Sequence, residues 1–299
     1  MSSTREYLLR CLEPHLDARA HEWLVSACAE CEALPHQPEV RFPTLISLAS
    51  RKVPAKPLAP TLAQRATAHE LVSGWNPERW TVLEAVRAVL VLSRAHLAGP
   101  QGVAILDEVF RHADIGELCA LYKTLQLLPD NARFTWRAGE GCRSSMSAVY
   151  EAAACDTGFP YARFDDVAWR QLIVKALFVG APLHRVYGLD GRLDEELARI
   201  VLDFVEERRS AQRGIVPATW ACLGRNGGAR ARASLLTELG TDHPAGRAGA
   251  LLGLARAGHT DDVKAYAARC DSDPLVQQAL VRALAARPTQ DDYAPLFGL

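Results

Sequence analysis

The sequence predicts an all-α protein: a HEAT-like helical repeat array, or α-solenoid, with a proline-rich N-terminal segment. Three observations carry that expectation. Apolar residues recur at helical spacing along most of the 299 residues, strand patterns are poor, and the last quarter contains two similar helix pairs.

The first ten residues read as a helix start and lack the apolar core of a signal peptide. Prolines 35, 38, 43, 54, 57 and 60 then make residues 35–60 an irregular segment, interrupted by a short helix near residues 44–50. Such a segment is suited to wrapping a surface or closing over a cleft. Val82 to Leu92 is apolar on nearly every side, so this helix is expected at the centre of the fold. Phe134-Thr-Trp136 is the best strand candidate, and it stands alone. Trp169, Leu172, Ile173, Ala176 and Leu177 form one stripe of a helix that Asp165 or Asp166 can cap. Leu193, Leu197, Ile200, Val201, Phe204 and Val205 repeat the pattern. Turns fall at Gly74–Pro77, Gly99-Pro100, Pro129–Asn131, Gly158–Pro160 and Gly188–Gly191.

After Asn226-Gly-Gly228 the composition becomes alanine-rich. A shift of 30 residues aligns Pro244 with Pro274, Leu254 with Leu284, and Asp261-Asp262 with Asp291-Asp292. Each copy reads as two short helices, the first opened by proline and the second by its acidic pair. Helix pairs that cannot bury an apolar face alone must stack, which is the logic of HEAT-like arrays. Ala248, Gly249, Gly253 and Ala257 suggest close helix contacts in this tail. The expected division is a helical domain over residues 1–225 and continuous repeats over 226–299.

Composition narrows the function classes. The chain is 49% hydrophobic with formal net charge −1, so no bulk electrostatic grip on nucleic acid or an anionic membrane is expected. Five of its cations are lysine, leaving an arginine-dominated surface. Eight arginines between residues 225 and 287 would suit a DNA-binding groove, but acids are interspersed and no basic run alternates with aromatics. No window approaches the roughly 18 apolar residues of a spanning helix, so membrane insertion is not expected. Eight cysteines without a secretion signal read as reduced thiols, and the expected location is cytoplasmic.

Motifs for common enzyme chemistry are lacking. Cys28-x-x-Cys31 lies on a predicted helix without a second ligand pair, and reads as two packed thiols. Nine scattered histidines show no metal-ligand spacing, and neither a phosphate loop nor a nucleophile elbow occurs. No metal and no cofactor are expected. Two segments concentrate polar chemistry. In Gly139-Glu-Gly-Cys-Arg143, read as a loop, glycines flank Glu140 and Arg143 follows. In Lys175–Arg192 a helix ends near Gly180-Ala-Pro182, and His184, Arg185, Tyr187, Asp190 and Arg192 crowd into nine residues. These arginines suit bidentate pairing with a ligand's carboxylate, or with Glu140 and Asp190 themselves.

Residues 113–127, the run Trp169–Arg185 with Lys175-Ala-Leu-Phe-Val-Gly180, and Gly188-Leu-Asp190 resemble the EboA domain family. Gly74–Val82 and Ser50-Arg-Lys52 extend the resemblance, which covers about residues 1–225. Ser144-Ser145-Met146 stands where a Thr-Asn-Met is expected, and Ala153–Gly158 replaces an asparagine-rich turn. The resemblance implies a protein of a bacterial gene cluster devoted to secondary metabolites and to moving precursors toward the cell envelope. The expectation is a small metabolite bound or transformed in a pocket between helices near residues 140–192. Glu140 and Lys175 are the candidate proton-transfer (catalytic) groups. Arg143, Arg185 and Arg192 are candidate anion anchors, with His184, Tyr187 and Asp190 as further substrate contacts. The alternative is a non-catalytic scaffold for other pathway enzymes.

Overall fold

A computed structural model describes residues 2–298 of the chain. Among the described residues it is all-helical, and its sole extended pairing is an isolated antiparallel bridge between Pro57 and Thr81. The chain forms two compact units, residues 1–169 and 170–299.

The first unit contains α1 (Ser2–Leu12), α2 (Ala18–Ala33), α3 (Arg41–Leu48), α4 (Leu62–Leu71), α5 (Val82–Ser93), α6 (Gly102–His112), α7 (Ile115–Thr124), α8 (Thr135–Arg143), α9 (Ser147–Ala154) and α10 (Phe159–Arg163). The next helix, α11 (Asp166–Val179), begins in this unit and continues into the second. As the sequence predicts, α5 is central: all its residues except Leu83 and Glu84 are buried, and α1, α2 and α7 pack on it. A capping box, Thr81 with Glu84, starts it, and Lys123 of α7 pairs with Glu84 at 2.7 Å. Arg87 is buried within α5. It donates through Nε to the Ile46 carbonyl (3.2 Å) and faces Glu117 of α7 at 3.4 Å.

The proline-rich segment is pinned against this core. Arg94 donates to the carbonyls of Leu34, Pro35 and Gln37, and the amides of Leu58 and Val82 bond the Trp80 and Lys56 carbonyls, each at 2.8 Å. These side-chain and backbone partners supply the hydrogen bonds that a segment so rich in proline cannot make with itself.

The second unit continues with α12 (Glu195–Ser210), α13 (Gly228–Glu238), α14 (Pro244–Ala257), α15 (Thr260–Ala267) and α16 (Pro274–Ala285), interspersed with 3-10 turns at Leu183–Arg185, Leu189–Arg192, Pro217–Cys222 and Gln290–Leu296. Here α14 is the hub. A Cβ on Gly249 would meet the Pro217 carbonyl at 2.8 Å, and one on Gly253 would meet Leu235 at 2.8 Å. These glycines let the 217–222 turn and α13 approach closely, and they place the fully buried Trp220 beside α14. Pro244 and Pro274 each open a helix, as expected. The acidic pairs also open helices, but the second is a 3-10 helix with Pro295 inside it.

Candidate ligand-binding site

The expected chemistry distributes over both units. Glu140 and Arg143 belong to the first, on α8, whereas Lys175 and residues 184–192 belong to the second. Residues 139–143 are helical, which corrects the reading of this segment as a loop. Gly141 serves packing: a Cβ there would fall 2.6 Å from the Ala153 Cβ and 2.7 Å from the Tyr122 ring. Glycine is therefore required where α8 crosses α9 and α7, despite its poor helix propensity. One turn apart on the outer face, Arg143 and Glu140 form an exposed ion pair.

At the start of α11, Asp165 caps the helix through the Ala168 amide (2.8 Å), and the stripe from Trp169 to Leu177 is buried. Lys175 is half-buried on this helix. Gly180 ends it with φ +68°, a conformation favouring glycine. The chain then runs through two 3-10 turns separated by Gly188, whose φ is +77°.

Residues far along the chain hold this loop in place. The Gln290 side chain donates to the carbonyls of His184 (2.9 Å) and Val186 (2.8 Å), and its Oε1 accepts from the Asp190 amide (3.2 Å). The Asp190 carboxylate accepts from the Gln290 amide at 3.0 Å and from Arg256 Nη2 at 2.5 Å. Arg256, only 3% exposed, also donates to the Pro288 and Ala221 carbonyls. Leu183, Val186 and Leu189 are buried beneath the loop, while His184, Arg185, Tyr187 and Arg192 are half-buried along it. The His184 and Phe297 rings meet edge-on, with centroids 5.8 Å apart. Nearby, loss of solvent and the negative charge of Asp190 raise the Asp291 pKa, against the opposing pull of His184.

The loop is thus a backbone fixed at several points, carrying imidazole, guanidinium and phenol groups within nine residues. Such an arrangement can bind an anionic or hydrogen-bonding small molecule without first ordering a flexible segment. Sequence reading found the loop but missed Gln290 and Arg256, its anchors. They lie 100 and 66 residues from Asp190, and no local pattern marks them.

Other predicted polar groups are taken up internally. Five of the tail arginines meet acids: Arg230 pairs with Asp203 and Glu206, Arg232 with Asp262, Arg247 with Asp271, Arg256 with Asp190, and Arg282 with Asp292. The Cys28 and Cys31 thiols are buried on α2, and burial pushes Cys31 up to about 12. No described helix is long and apolar enough to cross a membrane.

The described residues thus form an all-helical protein whose 183–192 loop is anchored by Gln290 and Arg256. The chain belongs to the EboA family: the family model described as "Metabolite traffic protein EboA" matches residues 4–224. No curated protein and no solved structure shows significant similarity to it.

Proposed function

We propose that this chain is a metabolite-binding protein of a bacterial natural-product pathway, one that holds a small molecule for transfer. The carrying observation is the anchored loop 183–192. Its backbone is tied to Gln290 and, through Asp190, to Arg256 before any ligand arrives, so its side chains are preorganised. Arg185 and Arg192 act as anion anchors, His184 and Tyr187 as hydrogen-bonding partners, and Asp190 as the brace of the loop. Lys175 belongs to the same unit and supplies a further cation. Binding is favoured over transformation because Glu140, the proposed proton-transfer acid, is engaged by Arg143 on an exposed helix face. The family's description as a traffic protein accords with carriage.

The same reading treats residues 226–299 as HEAT-like helix pairs continuous with an EboA-like domain over 1–225. It also places the protein in the cytoplasm, which accords with seven buried cysteine thiols.

Incubating the purified protein with extracts of a strain lacking it, followed by native mass spectrometry, tests the proposal. The expected result is a retained small molecule that is lost in an Arg185→Ala/Arg192→Ala double variant. Failure to retain any molecule, combined with co-purification of pathway enzymes, would favour a scaffold instead.

A further inference from the structure

The first unit contains a groove of about 470 Å³ between α1 and α2, within the size range of small-molecule sites. None of its lining residues belongs to the 183–192 loop. The two helices run antiparallel, and Arg5 Nη1 meets Glu32 Oε1 at 2.7 Å to close one end. From Arg5 to Glu13 the groove follows about 12 Å of helix. Its walls along that length are apolar: Leu9, Leu24 and Cys28 line the interior, and Val25 stands 57% exposed at the rim.

The opposite end is polar and differently constituted. Arg10, Glu13 and His21 line it, and none of the three forms an ion pair with a described residue. Arg10 and Glu13 are three residues apart, the spacing at which helical side chains commonly pair, yet they remain apart. One committed ion pair therefore closes the groove at its far end, while an uncommitted arginine and imidazole wait at its mouth.

We propose that this groove binds an elongated apolar molecule carrying a single anionic head, of the carboxylate or sulfonate class. The apolar body lies along Leu9, Leu24 and Val25, where its burial removes hydrocarbon from water. The head accepts hydrogen bonds from Arg10 and His21. Glu13 at the same mouth limits the charge: a diphosphate would bring further negative charge against this carboxylate without a second free arginine, because Arg5 is held by Glu32. The site thus selects monoanionic amphiphiles over polyanionic ones.

Fluorescence titration with 1-anilinonaphthalene-8-sulfonate, an aromatic monoanion, tests the proposal on the full chain. Saturable 1:1 binding is expected, with displacement by decanoate and much weaker displacement by geranyl diphosphate. Val25→Trp, at an exposed position where folding is undisturbed, fills the groove and abolishes binding. Arg10→Gln weakens it about tenfold, the loss of one charge-assisted hydrogen bond. Glu13→Gln improves competition by the diphosphate. The Arg185→Ala/Arg192→Ala variant leaves probe binding unchanged, which separates this site from the loop. Unchanged binding in Val25→Trp or in Arg10→Gln would overturn the site, and stronger competition by the diphosphate than by decanoate would overturn the ligand class.

Discussion

Arg256 and Asp190, separated by 66 residues, meet at 2.5 Å, and the buried guanidinium is shared with the carbonyls of Ala221 and Pro288. A buried cation that loses its acid keeps its desolvation cost without compensation. We expect Asp190→Asn to destabilise the second unit by about 1–2 kcal/mol, because Asp190 is 36% exposed and its neutral isostere still accepts a hydrogen bond. Arg256→Ala should cost about 3–5 kcal/mol, since it also empties a buried volume beside Tyr293 and strands two carbonyls. Urea denaturation of both variants measures the difference, and equal costs would show that the carbonyl contacts contribute little.

Gly139 and Gly141 sit two residues apart on α8 but make opposite predictions. Gly141→Ala forces a methyl group into the Ala153 and Tyr122 contacts and should destabilise by about 1–3 kcal/mol. At Gly139 the nearest atom is the Arg143 guanidinium at 3.4 Å, a flexible group that can move. Gly139→Ala should therefore be neutral or stabilising by about 0.5–1 kcal/mol through helix propensity. Comparing thermal midpoints of the two variants tests whether α8 packs as described.

Seven of the eight cysteines are buried, and Cys270 alone is exposed. Burial pushes Cys31, Cys142 and Cys222 up to about 12, far from thiolate reactivity at neutral pH. Ellman's reagent should consume one thiol per native chain and eight in guanidinium chloride. Cys270→Ser should remove the native signal, and rapid reaction of a second thiol would reveal local opening.

Acid should weaken the second unit first. Arg170 and the Leu197 amide hold the Asp194 carboxyl below its usual value, and Arg232 does the same for Asp262. Tyr266 and the Asp273 amide lower Asp271; at Asp292, Arg282 and the Thr289 amide outweigh a larger opposing effect of burial. A carboxyl depressed in the folded state stabilises it above the unfolded pKa of about 3.9, and that contribution is lost as pH falls through the lower folded value. The thermal midpoint should hold above about pH 5 and then drop steeply below pH 4. Asp194→Asn should lower the neutral-pH midpoint and flatten this drop, so an unchanged acid profile in that variant would count against its role.

Much of the fold was legible because helix signals are local. The apolar stripe at Trp169–Leu177, the cap by Asp165, the proline-led starts of α14 and α16 and the centrality of α5 all depend on residues within a few turns of one another. The same local view misread Gly139–Arg143 as a loop, because glycine reports either a turn or a close helix crossing. Only the positions of Ala153 and Tyr122 distinguish these two uses.

The candidate site divides in the same way. By itself the sequence determined the helical class, the family and the crowding of His184, Arg185, Tyr187, Asp190 and Arg192. Tertiary structure alone decided that Asp190 braces the loop against Arg256 and Gln290, that five of the tail arginines face acids, and that α1 and α2 leave a groove with Arg10 at its mouth. The physical reason is range. Periodicity and capping are fixed by bonds spanning about four residues, whereas the partner of a charge is set by where the folded chain returns.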